Sequence, residues 1–120
     1  RLVRDWSSDV CSSDLKTDFY DVYGDGVIKI IFTPGHTPGH QSVMVKLPKT
    51  GHMLFTGDAC YTGDHWCDKC LPGLVSSSSD AAASVKKLRR IAKEHDAKVV
   101  WGHDPVSWPD WKKAPMFYYD

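Results

Sequence analysis

The sequence predicts a mixed α/β domain, on three observations. Short runs of alternating apolar and polar residues, separated by Gly- and Pro-containing turns, mark an antiparallel meander of strands. One stretch of helical period follows, from Ala81 to His95. Beyond it Lys98-Val99-Val100-Trp101 reads as a short buried strand running into Gly102-His103-Asp104-Pro105. At 120 residues the chain is one small domain or a piece of a larger one.

The first segment stands apart. Residues 5–15, DWSSDVCSSDL, are what one reading frame of a common short-read sequencing adapter encodes. An eleven-residue agreement through the genetic code is too specific for a Ser/Asp-rich linker, so residues 1–15 are expected to be non-native and 16–120 the genuine domain. A signal peptide is not excluded by a chain that begins in this way. Outside that segment remain Cys60, Cys67 and Cys70, an odd number that argues against a disulfide framework and for a reducing, cytoplasmic setting. Fifteen basic and fifteen acidic residues leave no net charge, which points away from nucleic acid and anionic membranes. No apolar run is long enough to span a bilayer.

From Phe19 the elements follow in order. The Gly24-Asp25-Gly26 turn leads a hairpin into a strand over 27–33. Thr33-Pro34-Gly35-His36-Thr37-Pro38-Gly39-His40-Gln41-Ser42 stops that strand with two Pro-Gly pairs and stiffens the turn. Strands over 42–47 and 52–56 flank the turn Pro48-Lys49-Thr50-Gly51, and the second runs into Gly57-Asp58-Ala59-Cys60-Tyr61. Residues 62–78 read as loop. Ser79 or Asp80 is the expected helix cap. On the helix Ala81, Val85, Leu88, Ala92 and His95 share one face, and Lys86, Lys87, Arg89, Arg90 and Lys93 form a face expected to be solvated. The tail from Trp108 is aromatic and broken by prolines, and is expected to pack irregularly on a neighbour.

Three strand ends then carry a metal-capable side chain beside a glycine: His36, Asp58 and His103. Their separations of 22 (58 − 36) and 45 (103 − 58) suit ligands gathered from different strands rather than a local finger. Glycine at such places would let backbone approach a cation closely. Imidazole nitrogens with a carboxylate form a borderline-hard set suited to zinc or a similar ion. A carboxylate has two oxygens, so Asp58 can bridge two ions about 3.5–4 Å apart.

TPGHTPGHQS, LFTGDACYT and WGHD together resemble the C-terminal half of the metallo-β-lactamase superfamily, over roughly residues 19–120. The resemblance implies an αβ/βα four-layer sandwich, two divalent ions (zinc first), and His36, Asp58 and His103 as ligands with Asp58 as the bridge. Within the superfamily, HQS, the run Asp58-Ala59-Cys60-Tyr61 and a C-terminal GHD look like the N-acyl homoserine lactone lactonases. There a tyrosine three residues after the bridging aspartate hydrogen-bonds the lactone oxygens, which carries over to Tyr61. The implied chemistry is opening of a small-molecule lactone by water activated at the cations. The family's HxHxDH segment has no counterpart in this sequence, so the chain is expected to be inactive without the missing N-terminal half as its partner. Alternatives are a thioesterase of the glyoxalase II type, or a piece with only a binding or structural role.

Other residues are less specific. His40 suits a partner that orients the ligands, or a plain packed histidine. His65, Cys67 and Cys70 form HWCDKC, either a separate zinc or redox site or an ordinary loop. His95 suits the negative end of a helix dipole, and His52 a strand flank.

Overall fold

A computed structural model describes residues 18–115 and 117–120 of the protein; the adapter-like stretch 5–15 lies outside them. Five strands, β1 (Tyr20–Asp21), β2 (Ile28–Phe32), β3 (Gln41–Leu47), β4 (Gly51–Phe55) and β5 (Lys98–Val100), form one sheet in sequence order. The first four are the expected antiparallel meander, whereas β5 joins β4 in parallel after a helical crossover. In the β1–β2 turn the Asp21 carboxylate accepts the backbone N–H groups of Gly24 and Gly26, which closes the loop without a tight two-residue turn.

That topology places the site. With β3 antiparallel to both neighbours, β2, β4 and β5 run the same way, so their C-terminal ends share one edge of the sheet. The turns carrying His36, Asp58 and His103 all leave from that edge.

The segment 62–78 is not all loop. Helix α1 (Gly63–Trp66) makes one turn, capped by Thr62, whose side chain accepts from the His65 N–H. Helix α2 (Ser78–Glu94) starts three residues before Ala81, and its cap is Ser77 rather than Ser79 or Asp80. The reason is local: Ser77 is extended, and its Oγ accepts the Asp80 N–H at 3.2 Å, leaving Ser79 and Asp80 inside the first turn.

The core lies between α2 and one face of the sheet. Alternation along the strands turns Ile31, Met44 and Leu54 to that face, where they meet Leu88 and Ile91. The basic face of α2 is not simply solvated. Lys87 is half-buried and donates to the Phe32 carbonyl, and Arg89 donates to the Trp66 carbonyl while pairing with Asp68. Long basic stems thus anchor the helix to strand and loop while covering apolar surface.

On the opposite face Ile28, Ile30, Val43, Val45, Met53 and Phe55 form a second apolar surface, in which Met53 is buried, Phe55 exposed and the others half-buried. The tail folds back onto part of it. Trp108, Trp111 and Tyr119 line a groove of about 330 Å³ with Val45, Leu47 and Val100. The Asp120 carbonyl accepts the N–H groups of Lys49 and Thr50 in the β3–β4 turn. Strand β5 is only partly buried, not buried as the sequence suggested, because it lies at the sheet edge.

Candidate metal centre

The ligand candidates reach each other through backbone contacts that only glycine permits. A Cβ on Gly102 would lie 2.4 Å from the Gly57 carbonyl oxygen, and one on Gly35 would lie 2.4 Å from the Ala81 Cα. These glycines bring strand ends and a helix start together; close approach to a cation, expected from sequence, is not what demands them. Two more bonds align the last turn, from Gly102 N–H to the Cys60 carbonyl and from His103 N–H to the Tyr61 carbonyl.

The side chains then converge. His103 Nε2 lies 2.7 Å from Asp58 Oδ1, and His36 Nε2 lies 3.5 Å from Asp58 Oδ2. Each histidine addresses a different oxygen of one carboxylate. Asp58 and His36 are partly buried while His103 is exposed. Among the described residues no three His, Cys, Asp or Glu side chains converge tightly enough to hold one ion. The geometry explains this: the three groups outline two half-sites that share Asp58, not one closed site.

His36 has the orientation of a ligand. Its Nδ1 sits 2.8 Å from the Leu74 carbonyl, which can only accept, so Nδ1 carries the proton and Nε2 presents its lone pair towards Asp58. Two ligands about 2.0–2.2 Å from a tetrahedral zinc lie roughly 3.4 Å apart. The spacing of His36 and Asp58 fits that; the His103–Asp58 pair is closer because it is a direct hydrogen bond. The donor set of imidazoles and one two-faced carboxylate therefore fits a pair of divalent ions.

Tyr61 stands among three imidazoles, with ring centroids 6.0 Å from His36, 4.7 Å from His103 and 5.5 Å from His65. Its hydroxyl oxygen is 3.2 Å from His36 Nδ1. Since the Nδ1 proton already serves Leu74, the Tyr61 oxygen shares that proton as an acceptor and keeps its own O–H unspent. His65 accepts the Tyr61 backbone N–H through Nδ1 at 3.2 Å and so fixes the base of the tyrosine. Sequence reading missed that role, although the four-residue spacing within a capped turn signals it.

His40 does not join the three ligand candidates at the carboxylate. Its Nε2 accepts the Asp58 backbone N–H at 3.0 Å, and its Nδ1 is 2.9 Å from Thr33 Oγ1. Burial pushes its pKa down, which keeps the ring neutral and able to accept. Cys60 is fully buried and burial pushes its thiol up to about 12, so it is not a nucleophile. Cys67 and Cys70 are free and exposed, and with His65 they form no metal site.

Comparison with known proteins agrees with this architecture. The family profile of the metallo-beta-lactamase superfamily matches residues 10–103. The chain belongs to that superfamily. The start of the match falls inside the stretch read above as adapter-derived. The N-acyl homoserine lactonase AttM of Rhizobium radiobacter is 58% identical over 101 residues, which are 84% of this chain and 38% of that protein. An N-acyl homoserine lactonase of Bacillus cereus is 36% identical over 77 residues, 64% of this chain and 30% of that protein. Among solved structures, an N-acyl homoserine lactone hydrolase with N-hexanoyl-L-homoserine bound at its catalytic metal centre superposes with a TM-score of 0.75. It is 29% identical, and the match covers 85% of this chain and 39% of that one. The chain thus spans well under half the length of the relatives it matches.

Proposed function

We propose that the full-length protein is a metal-dependent hydrolase that opens the lactone ring of N-acyl homoserine lactones, a quorum-quenching activity. The observation that carries the reading is Tyr61, seated between His36 and His103 with its O–H unspent. The 58% identity to a homoserine lactonase supports the same substrate class.

His36, Asp58 and His103 would hold two divalent ions, with Asp58 shared between them. The nitrogen and oxygen donors favour zinc. Such ions supply Lewis acidity for the lactone carbonyl and make a nucleophile from water near neutral pH. The chain's own contribution is orientation and charge. Tyr61 donates a hydrogen bond to the carbonyl oxygen as negative charge builds there, an oxyanion role. His65 keeps the Tyr61 backbone in place and Leu74 holds the His36 tautomer. The remaining ligands are assigned to the N-terminal half, which would pack on the partly accessible apolar face of the sheet. Cys60, Cys67 and Cys70 are all free, in keeping with a cytoplasmic enzyme. No helix among the described residues is long and apolar enough to cross a membrane.

The test uses the purified full-length protein loaded with zinc. Acid release is followed with N-hexanoyl homoserine lactone and, in parallel, thiol release with an S-acyl glutathione. A higher kcat/KM on the lactone is expected. Preference for the thioester would reassign the protein to the thioesterase branch of the same fold, and inactivity on both would leave only a binding role.

A further inference from the structure

Four hydrogen bonds beneath the metal centre form a chain whose hydrogens can point only one way. Ser42 Oγ lies 2.9 Å from the Thr56 carbonyl, which only accepts, so Ser42 donates there. Thr33 Oγ1 is 2.9 Å from Ser42 Oγ and must then be the donor of that pair. With its proton committed, Thr33 Oγ1 accepts from His40 Nδ1 at 2.9 Å, and the Thr33 carbonyl, also only an acceptor, lies 3.2 Å from the same nitrogen. His40 Nε2 is thereby left bare, and it accepts the Asp58 N–H at 3.0 Å. The chain begins at Asp58 and ends at Thr56, two residues back on the same turn. Thr33, Ser42 and Thr56 are at most 1% exposed, so water does not compete for the bonds among them.

Residues Gly57–Ala59 make a short 3-10 turn, and its leading residue Thr56 offers no side-chain cap. The Thr56 hydroxyl is instead turned to the Cys60 carbonyl at 2.8 Å. The Asp58 amide is therefore one of the orphan donors of a helical turn, and an imidazole from another strand end satisfies it.

We propose that His40, with its tautomer imposed by Thr33 and Ser42, is the positioning residue that sets where Asp58 presents its two oxygens to His36 and His103. This rests on the reading of Asp58 as a shared metal ligand. The alternative is that the buried groups merely satisfy one another, as buried polar groups generally do. The two differ in what a half-replacement of the ring does.

Two variants of the full-length protein split the imidazole. In His40→Gln the side-chain carbonyl reaches the place of Nε2 and still accepts from Asp58, but the donor to Thr33 is lost. In His40→Asn the amide stands at the place of Nδ1 and donates to Thr33, but nothing reaches Asp58. Zinc affinity is measured by competition with a chelator, and the Asp58 amide is followed by hydrogen exchange in the metal-free protein. Loss of an outer partner typically costs 10–100-fold in metal affinity. The Asn variant should show that loss together with faster Asp58 exchange, and the Gln variant should stay within about threefold of wild type. Equal loss in both, or loss in neither, overturns the proposal. Should the Asn variant fail to fold, nitrogen-15 shifts of His40 in the metal-free wild type decide instead. A proton on Nδ1 is expected, and a proton on Nε2 refutes the chain. Wild-type protein that binds no zinc and opens no lactone would refute the proposed function, while exchange and tautomer still judge this proposal.

Discussion

At Tyr61 the proton count sets the expectation for mutation. Because its O–H is unspent, Tyr61→Phe in the full-length protein removes one donor and leaves the ring packing against His103 intact. An oxyanion donor acting alone is worth about 10²–10³ in kcat. With Lewis acid sharing the work, a fall of roughly tenfold to a hundredfold is expected, with zinc content unchanged by elemental analysis. Asp58→Ala should differ by releasing metal and ending turnover together. Unchanged turnover in Tyr61→Phe would reduce that residue to packing. These residues were legible in the sequence because each follows a Gly or a strand end, where side chains are displayed rather than buried. Thr33 and Ser42 were not. They read as ordinary strand residues, and only the pairing of Phe32 with Gln41 brings them under His40.

Among the elements, the strands were legible to within a residue or two, since alternation is a local signal. The start of α2 was not, because four serines in a row offer equivalent caps and tertiary contacts choose between them. Here Ser76 and Ser77 are held by the Gly35 carbonyl, which draws the helix start back to Ser77. The other end of α2 carries a pH-dependent contact. The ring of His95, its closing residue, is centred 5.1 Å from that of His52 on β4, and the Phe19 ring meets His95 edge-on at 5.4 Å. Desolvation lowers the His52 pKa, and His95, Lys46 on β3 and Lys29 on β2 lower it further. The folded state thus favours neutral His52, and the unfolded chain takes up the proton first. Stability from this group is present above the ordinary value of 6.5 and is lost as pH falls through it. The thermal midpoint of the wild type should drop more between about pH 7.5 and 5.5 than that of His52→Gln. Equal drops would show that the pair is too well solvated to matter. The effect is modest, since His52 is only partly buried and water screens such charges.

For the whole molecule, the two faces of the sheet tell different stories. One is sealed by α2; on the other, among the described residues, the tail lines a groove while Ile28, Ile30 and Val43 stay half-buried and Phe55 is exposed. An apolar sheet face left partly accessible is a surface on which a further layer can pack. Residues 16–120 produced alone should therefore self-associate in light scattering and show no lactone hydrolysis. A monodisperse, active preparation would contradict both the half-domain reading and the assignment of missing ligands elsewhere. The fold class was legible in the sequence because helix and strand periods differ; which face α2 covers was not, since alternation along a strand does not say which side is covered. The parallel pairing of β4 with β5 has a temporal consequence. His103 reaches Asp58 only after a crossover of more than forty residues has closed, and closing long loops is slow and entropically costly. During synthesis Asp58 and His36 therefore emerge, and can collapse together, well before their third companion exists. Of the three proposed ligands in this chain, His103 would thus be the last to join the site, completing a centre whose other groups are already in place.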